Sequence, residues 1–100
     1  MIRRSSILRD SQSGASVTFA APGQGKYNCV AAITVFTTAE ASLTITSGGT
    51  TLFSTTLPAS TGLEKVWGDH NPLIGLENQS VVIAVSAGTY TINAGGFVTP

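Results

Sequence analysis

His70 is the chain's only histidine, and it lies in Gly68 to Pro72, GDHNP, between Asp69 and Asn71. An aspartate beside a histidine can orient a general base. A working nucleophile–base–orienter set, however, needs groups that converge from different parts of a fold, which chain neighbours do not supply. The segment reads as turn chemistry ahead of Pro72. The remaining carboxylates, Glu40, Glu64 and Glu77, fall with Asp69 near turns and strand ends, where sparse acids solvate a surface and do not form the facing pair of a glycosidase. They also lack the spacing of a calcium loop.

Three other stretches invite a chemical reading. Ala21 to Tyr27, APGQGKY, resembles a phosphate loop only superficially: Ala20 stands where the first glycine belongs, Tyr27 where a magnesium-binding hydroxyl belongs, and no helical period follows. Asn78-Gln79-Ser80 has the form of a glycosylation acceptor and reads as a turn into the next strand. Trp67, with Tyr27 and Tyr90, carries the aromatic surface on which a sugar ring could stack. The phase of Tyr27 and Tyr90 assigns both to a core, which leaves Trp67, Asp69 and His70 as the candidate ligand contacts. Cys29 is the single cysteine, so the chain has no internal disulfide framework and no cysteine-based zinc site. No catalytic set, metal site or cofactor site emerges, and the reading is non-enzymatic.

The elements that hold these residues follow from a period of two. One hundred residues make one domain. Val17 and Phe19 alternate with polar neighbours. The long segment Tyr27 to Thr38 places Tyr27, Cys29, Ala31, Ile33 and Val35 in one phase. A hairpin runs through Ala41 to Leu57; with Gly48, Gly49 and Thr50 as its loop, Ser47 meets Thr51 and Ile45 meets Phe53. Its threonines form the solvent-side half, because β-branching suits a strand and the hydroxyl suits water. Leu63 to Trp67, Ser80 to Ala87 and Thr89 to Val98 follow, with a bulge expected at Gly95-Gly96. About seven strands at this spacing, without a helical period, predict an antiparallel β-sandwich, jelly-roll-like or Ig-like. The expected core is Val17, Phe19, Cys29, Ile33, Val35, Leu43, Ile45, Phe53, Val81, Ile83, Val85, Tyr90 and Ile92.

Residues 1–14 are set apart as an extended N-terminal arm before a sandwich at residues 15–100. The arm holds Arg3, Arg4 and Arg9 and two isolated apolar side chains, Ile7 and Leu8, with no alternation that would add a strand to a core. Only 10% of the chain is charged, against 42% hydrophobic. So few charges suit a subunit occluded in an assembly better than a free monomer. Three arginines without a basic stripe to continue them do not make a nucleic-acid surface. The arginines are not followed by an apolar export segment, and no stretch has the length of a membrane helix, so a soluble protein made in the cytoplasm, without membrane attachment, is expected.

Taken together, the polar arm, the hairpin LTITSGGTTLFSTTL (43–57), the passage NPLIGLENQSVVIAV (71–85) and the terminal GTYTINAGGFV (88–98) resemble small β-sandwich virion proteins of tailed bacteriophages. The nearest type is the capsid decoration or cement protein. The resemblance implies a jelly-roll-like homo-oligomer, most often a homotrimer, that sits on the capsid surface and clamps the major capsid protein. The arm, through Arg3, Arg4, Ile7, Leu8 and Arg9, would then lie along carboxylate-rich capsid surface and order on binding. The rival reading is a receptor- or carbohydrate-binding module of a tail spike or fibre, using Trp67, Asp69 and His70.

Overall fold

The structure is a computed structural model and describes residues 6–100 other than Asp69. Along the chain it forms β1 (Ser6–Ser13), β2 (Val17–Phe19), β3 (Tyr27–Thr37), β4 (Ala41–Ser47), β5 (Thr50–Leu57), β6 (Thr61–Val66), β7 (Leu73–Ile74), β8 (Val81–Val85) and β9 (Tyr90–Thr99), and no helix among the described residues. The strands make two antiparallel sheets, one in the order β1-β9-β3-β6 with β7 also on β3, the other β2-β8-β4-β5. The β-sandwich expected from the period of two is present. Among the described residues it has nine strands where about seven were expected, the additions being β1 and β7.

The core lies between the sheets. Val17, Ile83, Ile45 and Phe53 stand opposite one another in a row across all four strands of the second sheet. From the first sheet they meet Val30, Ile33, Val35, Ile92 and Ala94. Each Val, Leu, Ile or Phe removed from water here contributes roughly 1.5–3 kcal/mol relative to exposure. Eleven of the thirteen expected core residues are buried; Phe53 and Tyr90 are half-buried and pack against the core from its rim.

Three features depart from the expected pattern. Ser6–Ser13, within the expected arm, pairs with β9 along its whole length, from Ser6 opposite Val98 to Ser13 opposite Thr91. An edge strand is held by its main-chain ladder and needs no apolar alternation. Leu8, Asp10 and Gln12 are half-buried on the inner side, and Ile7, Arg9, Ser11 and Ser13 are exposed on the outer side.

The second departure is a bulge in β3. Gly96 pairs with Val30 and Gly95 with Ala32, which leaves Ala31 as the extra residue. The bulge expected at Gly95-Gly96 therefore lies on the partner strand. It reverses the phase of β3, so that Val30, Ile33 and Val35 face the core while Tyr27 and Cys29 face outward with their partners Thr99 and Phe97. Gly96 is glycine for a steric reason: a Cβ there would lie 1.9 Å from the Cys29 carbonyl oxygen.

The hairpin holds the third. Gly48 and Gly49, at φ 54° and 84°, form a two-residue turn that only glycine or asparagine adopts readily. Ser47 meets Thr50 and Thr46 meets Thr51, and Leu52 is then an extra residue that restores Ile45 opposite Phe53. The Ile45–Phe53 pairing is as expected; the Ser47–Thr51 pairing is displaced by one residue.

At the end of the sandwich, Asn28 is fully buried. Its Nδ2 donates to the carbonyls of Phe19 at 3.2 Å, Ala20 at 2.9 Å and Gln79 at 3.4 Å. This ties the exit of β2 and the approach to β8 onto β3.

Candidate functional site

Because the Ala31 bulge turns one end of β3 outward, the outer face of the β1-β9-β3-β6 sheet carries a row of apolar side chains. Ile7 stands opposite Phe97, Phe97 opposite Cys29, and Cys29 opposite Ile74. Phe97 and Cys29 are buried, while Ile7 is 63% and Ile74 46% exposed. The next row is Arg9, Gly95, Ala32 and Val66, with Val66 66% exposed. Ser11, Asn93, Thr34 and Glu64 follow, and then Ser13, Thr91, Phe36 and Gly62.

Small residues make this surface concave. Gly95 and Ala32 leave a groove of about 330 Å³, walled by Arg9, Asp10, Ser11, Thr34 and Asn93. Its polar wall is internally braced. The Ser11 hydroxyl donates to Asn93 Oδ1 across it, while on the inner side of β1 Asp10 accepts from the Ser11 amide at 2.9 Å and from Gln12 Nε2 at 3.2 Å. Arg9 is exposed beside it. The groove can bind an apolar or hydroxylic surface and offer one guanidinium to a carboxylate. Burial pushes the Cys29 thiol pKa up, so the thiol stays protonated and is a poor nucleophile.

Of the five proposed capsid-binding residues, the three that are described lie on two sides of β1. Arg3 and Arg4 lie outside the described residues. Ile7 and Arg9 belong to the outer face, whereas Leu8 turns inward and packs against the core.

The alternative ligand site is distributed differently again. Trp67 is half-buried and meets Phe53 in an edge-to-face contact, 5.5 Å between centroids. The backbone N–H groups of Trp67 and Gly68 both donate to the carbonyl of the bulged Ala31, at 2.7 and 3.0 Å. His70 is exposed in the turn beyond, and Asp69 lies outside the described residues. Tyr27 stands opposite Thr99 and Tyr90 opposite Thr37, at opposite ends of β3, so the three aromatic residues are not gathered into a platform. Tyr27 faces outward, contrary to its expected core phase, because the bulge intervenes.

The glycine loop and the asparagine triplet explain one another. Gly25 N–H donates to Glu77 Oε2 at 2.7 Å, Gly23 N–H to Asn78 Oδ1 at 3.0 Å, and Asn78 N–H to the Lys26 carbonyl at 2.9 Å. The loop's amides thus serve a carboxylate and an amide of this chain. Glu40 and Glu64 are exposed, the first between β3 and β4 and the second on β6. Among the described residues no three His, Cys, Asp or Glu side chains are grouped as metal ligands.

Phe36, Val66, Ile74 and Phe97 were not singled out from the sequence. Their shared face exists only once strand register is known, although Leu73-Ile74 between Pro72 and Gly75 is a legible two-residue strand signal. No protein-family model matches the chain, and no curated protein sequence matches it.

Proposed function

We propose that the chain is a structural virion protein of the decoration or cement type, which binds the outside of a phage head through the outer face of the β1-β9-β3-β6 sheet. Its partner is the major capsid protein, and it acts as a homo-oligomer on the capsid surface without catalysing a reaction. One observation carries the reading. Of the five large hydrophobic side chains exposed among the described residues, four, namely Ile7, Phe36, Val66 and Ile74, belong to this one sheet face. Exposed apolar side chains concentrated on one sheet face of a chain with so few charges mark a contact site. Arg9 and the neighbouring groove add a point of charge recognition. On a shell, each such contact can be weak, because the lattice presents many at once.

Titration onto undecorated heads tests the proposal. Val66→Lys with Ile74→Lys, both at exposed positions, is expected to leave the sandwich folded and to reduce bound copies severalfold. Arg3, Arg4 and Arg9 changed together to Ser should reduce occupancy most at low salt, where charge attraction is least screened. Full occupancy by both variants would refute the assignment of this face.

A further inference from the structure

We infer that the free edge of β5 pairs antiparallel with the β5 edge of a second copy of this chain, joining two four-stranded sheets into one continuous sheet. A sandwich of open sheets has four outer strands, and an outer strand presents unpaired N–H and C=O groups to any chain that can match them. Three of the four are blunted here, and β7, which also lies outside β3, has only two residues. β1 carries Arg9 and Asp10, β6 carries Glu64 and Lys65, and β2 is only three residues long. β5, TTLFSTTL, has eight residues, no charge and no proline, and Pro58 follows it directly. Among the described residues nothing pairs with its outer side.

The absence of charge also suits a second copy of this strand as the occupant. A two-fold axis sets each residue against the same short run of its copy, so any charge in the strand would oppose a like charge nearby and weaken the pair. β5 contains none. Ser54 and Thr56, opposite Thr44 and Ser42, are exposed on the outer side of their sheet and would meet hydroxyls of the same kind. Such hydroxyl pairs are favourable across strands. The bulge at Leu52 limits the regular run to residues 53–57, and Pro58 ends it. The result is a closed two-fold dimer, in place of the trimer that the resemblance implies, and it leaves the outer face of the other sheet free.

The test uses the full chain. Sedimentation of the wild type across a wide concentration range is expected to show a monomer–dimer equilibrium, and hydrogen exchange should show protection of β5 amides that rises with concentration. Ser54→Lys with Thr56→Lys, which places like charges at the seam, should weaken dimerisation by about tenfold or more. A wild type that stays monomeric throughout overturns the inference. So does a dimer whose β5 amides exchange as in the monomer, or a folded Lys variant that dimerises equally well. Should the Lys variant fail to fold, the exchange pattern of the wild type decides alone.

Discussion

The ring of Trp67 stands edge-on to that of Phe53, with centroids 5.5 Å apart and planes at 81°. Phe53 belongs to the last strand of one sheet and Trp67 follows the last strand of the other, so the pair closes the sandwich along its β5–β6 side. Trp67→Ala is expected to destabilise by about 2 kcal/mol, less than a fully buried tryptophan would cost. A double-mutant cycle with Phe53→Ala should give a coupling of roughly 0.5–1.5 kcal/mol. Urea unfolding of the four proteins measures both, and additive effects would show that the rings pack independently.

Gly96→Ala should be among the most damaging small substitutions in the chain. The added methyl would sit 1.9 Å from the Cys29 carbonyl oxygen and 3.1 Å from Val30 Cα, both parts of the backbone with no free rotor to move. Relief requires separating β3 from β9, the two middle strands of their sheet, and the cost should exceed about 4 kcal/mol. Gly95→Ala is the matched control, since the nearest atom to its added methyl is the Leu8 carbonyl oxygen at 3.8 Å. Equal melting temperatures for the two variants would contradict this account.

The buried thiol of Cys29 predicts a pH dependence. Desolvation raises its pKa in the folded chain above the unfolded value. As pH rises, the unfolded chain therefore loses this proton first. The stabilisation is complete below the unfolded pKa and is lost as pH climbs through the folded value. Denaturation midpoints followed from neutral to alkaline pH should fall more steeply for the wild type than for Cys29→Ala. Native protein should also react slowly with an aromatic disulfide reagent and quickly once unfolded.

His70→Ala should leave stability nearly unchanged, and under the proposed function the occupancy of heads as well, because the side chain is exposed in a turn. A change in midpoint within about 0.5 kcal/mol is expected, as for other surface positions away from packing or caps. Loss of a hydrolytic turnover in this variant would argue against the structural role.

By itself the sequence determined the fold class and most of the core. Alternation needs only neighbouring residues to be read, and Val17 with Phe19, Leu43 with Ile45, and Val81 with Ile83 and Val85 all fall on the inner faces that period two assigns to them. It also determined that Gly48-Gly49 turns the hairpin. What only the tertiary structure decided is where the phase breaks. One unpaired residue, Ala31, reverses every side chain of β3 before it and carries Tyr27 and Cys29 from the expected core to the outer face. That shift depends on how β3 meets Gly95 and Gly96, residues far away in the chain. β1 was hidden for a related reason: its strand is held by main-chain bonds to β9, which leave no mark on the side-chain pattern of Ser6–Ser13. The candidate surface inherits both effects. Ile7, Phe97, Cys29 and Ile74 come from four separate strands and share a face only through inter-strand register, which no local period encodes.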